Sequence, residues 1–188
     1  MSDEVKVMAS IPSWDALDKR FEPYAIQLGW LAYSWNKLHE RLSDIFWALT
    51  GIQNGYIPAA IWNAVKNDRT QREMLKGLAS ATLTDRKDLL EEILWVLKQA
   101  DKFEDKRNDA LHSPLIFMIE KDGPRLSSSH HMGNPRALKL KDKDLLNEFK
   151  WYGETANVLA SYLPTLTRCI RSPNHPFERP TLPALGVS

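Results

Sequence analysis

A single cysteine in 188 residues leaves nothing to bridge, so Cys169 cannot form an internal disulfide and a reducing compartment is the simplest reading. No stretch approaches the run of about 20 apolar residues that a membrane-spanning helix needs. The opening Met-Ser-Asp-Glu-Val-Lys-Val-Met has neither a basic leader nor an uninterrupted apolar run. A cytoplasmic chain with no membrane partner is therefore expected. Neither charge sign is in excess: 25 Lys and Arg against 24 Asp and Glu leave a formal net charge of +1. That balance argues against a broadly basic nucleic-acid binder while leaving room for a local site. Glycine is sparse, eight residues against eleven prolines, and there is no Gly-rich phosphate loop, no Ser nucleophile elbow and no Cys-His pair at readable spacing. His39-Glu40 opens like a zinc-protease helix but lacks the second His. His130-His131 lies in a Ser-rich loop without a spaced carboxylate or Cys. Neither a metal nor a cofactor is expected.

What is present is material for a core. The chain is 43% hydrophobic and 26% charged, with seven Trp, six Phe and five Tyr, enough for one globular domain without staples. The Trp residues at 30, 35, 47, 62, 95 and 151 fall in helical pattern and are read as core rather than as a base-stacking platform.

Helical periodicity dominates. Pro12 opens a short helical piece over about 12–20, and Pro23 stands near the first turn of a long helix that stops at Gly51. Its stripe is Tyr24, Leu28, Leu31, Trp35, Leu38, Leu42, Ile45 and Leu49, at spacings of three and four. Short helices follow at about 57–65 and 69–81, the second capped by Asn67 or Asp68. A second long helix, capped by Thr84 or Asp85, runs to about 112 and is ended by Pro114; its stripe is Leu89, Ile93, Val96, Ala100, Phe103. The β-forming run 115–119, the Asp122-Gly123 turn and a weaker extended segment predict a hairpin. Met132-Gly133-Asn134-Pro135 is a second turn. Asp142 or Asp144 then starts a third long helix to about 171, with Pro164 kinking it and Leu145, Phe149, Tyr152, Ala156, Leu159 and Tyr162 or Leu163 as its stripe. The expected fold is all-α: an up-and-down helical bundle over 23–171 with a short β-hairpin inserted before the last long helix. An N-terminal extension, 1–22, carries a short helix, and 172–188 is a Pro-rich tail.

Arg107 breaks the pattern. Four residues past Phe103 the stripe of the second long helix lands on a permanent cation, and three more residues bring it to Ala110. A guanidinium at an apolar position needs a receiving carboxylate, partner subunit or anionic ligand. Asn108 and His112 are four apart and share a helix face, whereas Arg107 and His112, five apart, differ by about 140° around the axis. The helix C-terminus favours an imidazolium at His112. A fixed cation and a proton-exchanging imidazole flanking one cleft suit phosphate chemistry.

Arg107-Asn108-Asp109-Ala110-Leu111-His112 resembles the R-x4-6-H motif of the HEPN superfamily, in the form with Asn directly after Arg. The setting is similar too: the motif ends a long helix, Ser113-Pro114 and an extended insertion follow, and a long helix closes the bundle. The resemblance implies a helical domain that dimerises and brings two copies of the motif together. Many members are metal-independent endoribonucleases among stress, toxin, anti-phage and RNA-processing proteins. It implies that Arg107 binds the scissile phosphate, that His112 is general acid or base as the ribose 2′-hydroxyl attacks, and that Asn108 orients the pair. Asn36 and Glu40 are i,i+4 partners beside the stripe of the first long helix, and similar polar positions in HEPN proteins face the motif; Glu40 is then a counter-ion for Arg107, the alternative being a solvated flank. Pro114 stands where nucleotidylated members carry tyrosine, which argues against that form of silencing. The alternative is a catalytically silent module that binds a nucleotide or a regulatory protein partner. Arg136, Lys139, Lys141 and Lys143 form a small basic cluster that could guide RNA.

Overall fold

The computed structural model describes residues 13–120, 123–129 and 133–185. In these, the chain forms α1 (Trp14–Thr50), α2 (Tyr56–Ala64), α3 (Asp68–Thr82), α4 (Lys87–His112), the strands β1 (Leu115–Glu120) and β2 (Gly123–Ser128), α5 (Pro135–Lys139) and α6 (Leu145–Arg171). The fold is a helical bundle with one antiparallel hairpin before the last long helix, as the change of period at Pro114 predicts.

The apolar stripes explain the assembly. Leu31, Trp35, Leu38, Leu42, Ile45 and Leu49 of α1 are buried; so are Leu89, Ile93, Val96, Ala100 and Phe103 of α4, and Leu145, Phe149, Tyr152, Ala156, Leu159 and Leu163 of α6. The most extensive pairing is α1 with α6. Gly153 permits it: a Cβ there would stand 2.8 Å from the Trp30 ring and 3.4 Å from the Leu31 backbone. Trp35 and Trp62 are core, but Trp30 and Trp47 depart from expectation, at 42% and 37% exposed.

Several boundaries differ from the sequence reading for local reasons. Residues 14–22 are not a separate extension. Ser13 caps α1, its Oγ accepting from the Ala16 N–H at 3.4 Å, and the helix runs on through Pro23. Phe21, Tyr24 and Leu28 pack against the core on both sides of that proline, and this anchorage outweighs its missing N–H. The expected start at Pro12 lies outside the described residues. Asn67 rather than Asp68 caps α3, accepting from Arg69 and Thr70 N–H groups at 2.9 and 3.1 Å. Neither Thr84 nor Asp85 caps α4; the N-cap is Arg86, whose N–H bonds back to the Leu83 carbonyl at 3.0 Å. Asp144 caps α6, while Asp142 sits in the preceding turn at a φ of 59°. Of the expected turn Met132-Gly133-Asn134-Pro135, Met132 lies outside the described residues, Gly133 is a turn residue at a φ of 69°, and Asn134 then opens α5: its Oδ1 accepts from the Arg136 and Ala137 N–H groups, with Pro135 in the first turn.

The tail is a strap rather than a free loop. Phe177 and Leu182 pack on the core, the Trp151 indole N–H donates to the Pro183 carbonyl at 2.8 Å, and Arg179 forms a fork with Glu92. Glu92 is buried and also accepts from the Tyr162 hydroxyl at 3.0 Å. Removing residues 173–188 is expected to cost on the order of 2 kcal/mol in lost apolar burial and to lower Tm further than Arg179→Ala does. Equal melting of the parent and the truncated chain, followed by Trp fluorescence, would contradict this.

Candidate functional site

The last turns of α4 present two faces, and the residues of the motif divide between them. Arg107 lies toward α1 and α3. Its guanidinium stands 5.2 Å from the Trp35 ring centroid, Nη1 donates to Asn108 Oδ1 at 2.6 Å, and Nη2 is 3.7 Å from Asp68 Oδ2. The cation on the stripe is thus received by an aromatic face and a carboxylate. That carboxylate comes from Asp68 at the start of α3, not from Glu40; Glu40 and Asn36 are exposed on α1.

Asp68 belongs to a larger polar cluster. Its Oδ2 accepts from the Trp35 indole N–H at 2.9 Å and lies 3.8 Å from His39 Nε2. Arg72, 1% exposed, bonds Asp101 at 2.7 Å and Glu104 at 2.6 Å, and its Nη1 is 3.2 Å from His39 Nε2. Arg72 also lies 5.9 Å from the Trp35 ring, so two guanidinium groups share one indole. Burial alone would raise the Asp68 carboxyl, but the Trp35 N–H and the charges of His39, Arg107 and Arg72 hold it below the ordinary carboxylate value. Burial, helped by the Arg72 and Arg107 charges, holds the His39 imidazole below the ordinary histidine value against the pull of Asp68.

This depression has a sign. The unfolded chain takes up the His39 proton more readily than the folded one, so the stability is complete above about pH 6.5 and declines as pH falls toward the lower folded value. Urea midpoints at pH 7.5 and 5.5 are expected to fall in the parent, and to fall less in His39→Gln. An equal drop in both would remove His39 from the explanation.

The other face of α4 bounds a cleft. Asp105, Asn108, Asp109 and His112 follow the spacing i, i+3, i+4, i+7, one side of the final two turns. Pro114 sets the end of that helix: Ser113 before it is extended, with its N–H bonded to the Asp109 carbonyl at 3.2 Å. The hairpin then closes on itself, the Ser129 N–H reaching the Pro114 carbonyl at 2.8 Å, and the chain returns to lay α5 beside α4. Asn134, Pro135, Arg136 and Lys139 form the opposite wall of an open cleft of about 480 Å³. Arg136 Nη1 donates to the Asn108 carbonyl at 3.1 Å, and Lys139 Nζ is 3.3 Å from the buried Asp109 carboxylate. His112 is exposed at the C-terminal end of α4.

His112 and Asn108 therefore line one cleft, and Arg107 borders it through its bond to Asn108 without being a wall of it. Among the described residues no group of three or more His, Cys, Asp or Glu side chains could hold a metal ion. In the sequence reading Trp35 falls on the α1 stripe, Asp68 among the helix caps and His39 in an incomplete zinc motif, with nothing joining them, and Arg72 is passed over, although one signal is there. Arg72 precedes the buried Leu75 and Ala79 by three and seven, so it breaks the α3 stripe as Arg107 breaks that of α4. No described protein family, curated protein or solved structure matches the chain.

Proposed function

We propose that the protein is a metal-independent endoribonuclease of HEPN type, a homodimer acting as a stress, toxin or anti-phage factor. The observation that carries the reading is that the exposed His112 lines one open cleft together with Arg136 and Lys139, with Arg107 tied to the same cleft by Asn108. The His112 imidazole accepts the proton of a ribose 2′-hydroxyl as the oxygen attacks phosphorus. A P–O2′ bond forms while the P–O5′ bond breaks, and the leaving oxygen takes a proton from water in the open cleft. Cationic side chains around the cleft stabilise the charge that builds on the phosphoryl oxygens. Asn108 holds the Arg107 guanidinium at its border. Arg107→Lys keeps the charge but loses the planar group that lies on Trp35 and bonds Asn108, so it belongs with the impaired variants.

One observation favours a second reading, a catalytically silent module that binds a nucleotide or a protein partner. Arg107 is already engaged by Trp35, Asp68 and Asn108. The test is incubation of purified protein with single-stranded RNA in EDTA. Cleavage supports the nuclease. Intact RNA, together with protection of the Arg107 region by a nucleotide or partner protein, supports the silent module.

A further inference from the structure

We infer that Arg136 of α5, with Lys139 beside it, is the phosphate-binding side of the His112 cleft, and that it grips the backbone of single-stranded RNA. The inference rests on the nuclease reading above and assigns within it a residue that the R-x4-6-H motif does not contain. The steric grounds concern which cation can reach a ligand. Arg107 is spoken for: its face lies on Trp35, Nη1 is bonded to Asn108, Nη2 faces Asp68, and its Nε is buried without a partner among the described residues. To meet a phosphate in the cleft it would have to leave that pocket. Arg136 is exposed and lines the cleft directly. One of its N–H groups is anchored on the Asn108 carbonyl, at the negative end of α4, and this fixes the guanidinium inside the cleft, against the last turns of α4 that also carry His112. Its other donors have no acceptor among the described residues. A pinned, planar cation with donors to spare is what a phosphodiester requires.

The remaining charges agree. Lys139 and Asp109 neutralise each other at 3.3 Å, which leaves Arg136 against the exposed Asp105 at the cleft edge. Lys143 is committed elsewhere, 3.2 Å from the buried Glu148, and Lys141 is exposed and does not line the cleft. The basic cluster of the sequence therefore narrows to one working residue, Arg136.

The test is binding of a fluorescent single-stranded oligoribonucleotide by anisotropy across a salt series, with cleavage followed in parallel and Tm checked for each variant. Arg136→Gln is expected to weaken binding about tenfold, by the strength of a charged hydrogen bond. It should also flatten the plot of log K against log salt by about 0.7, one phosphate contact on a single strand. Arg136→Lys should keep the salt slope while losing several-fold in affinity. Asp105→Asn should tighten binding, and Lys141→Gln should leave it unchanged. A purely structural role for Arg136 would shift Tm without moving the slope, and would overturn the inference. So would Lys141→Gln weakening binding as much as Arg136→Gln. If the parent cuts RNA and Arg136→Gln binds and cuts it equally well, the inference fails and the nuclease stands. If the parent binds RNA through Arg136 but never cuts it, the nuclease fails and the phosphate site stands. A parent that neither binds nor cuts RNA contradicts both.

Discussion

His112→Ala is expected to lower the rate of RNA cleavage by about 10²–10⁴-fold, the usual loss when a general acid or base is removed. Its Tm should stay close to that of the parent, because the side chain is exposed and packs into no core. The two readouts together carry the meaning. A lower rate with an unchanged Tm assigns the loss to chemistry, whereas parallel falls would assign it to the fold. Binding of the oligoribonucleotide should survive, since the imidazole moves a proton and the grip lies on Arg136. His112→Ala cleaving as fast as the parent would remove the residue from the mechanism.

The second large effect is on stability. Arg72 is 1% exposed and bonded to Asp101 and Glu104, with His39 and Trp35 completing its surroundings. Arg72→Met keeps the volume and removes the charge. It leaves two carboxylates that were folded around a cation, and breaking a buried pair costs about 3 kcal/mol at the lower end of the range. The lower end applies because Asp101 is 48% exposed and can regain water. For a chain of this size the fall in Tm is roughly 6–12 °C. Arg41, paired with Asp44 at 3.0 Å on the surface, is the contrast: Arg41→Ala should change stability by less than about 0.5 kcal/mol. A loss of similar size in both variants, by chemical denaturation, would mean that the α1–α3–α4 cluster is not a structural centre. Because Arg72 and Arg107 share the Trp35 ring, loosening one is expected to reach the other, and with it Asn108 at the edge of the cleft.

Much of this fold was legible in the sequence because α1, α4 and α6 each carry an apolar stripe long enough to determine burial. The hairpin was legible for the opposite reason, a β-forming run stopped by Pro114 on one side and a turn on the other. Boundaries were less so. Pro23 reads as a helix start, but Phe21, Tyr24 and Leu28 anchor the chain on both sides, and tertiary packing overrides the local signal. The five-residue helix α5 is too short to show periodicity, and its only signature is Asn134-Pro135. In the site, the anomaly at Arg107 was visible but its receiver was not. Asp68 is 39 positions away in sequence and looks like the polar start of a short helix. The 140° between Arg107 and His112 already separates the two side chains, and α4 keeps that separation, putting one toward Trp35 and the other on the cleft. That Arg136 would share a cleft with His112 depends on how the hairpin returns the chain, which spacing along one helix cannot reveal.

The most direct measurement is the chemistry of the cut ends. A DNA oligonucleotide carrying a single ribose, incubated with the purified protein in EDTA, is expected to break only after that ribose. The fragments should bear a 2′,3′-cyclic phosphate and a 5′-hydroxyl, because the 2′-oxygen is the nucleophile and no metal is needed. Cutting at deoxyribose positions, a 5′-phosphate end, or cleavage that appears only when Mg²⁺ is added would contradict the mechanism.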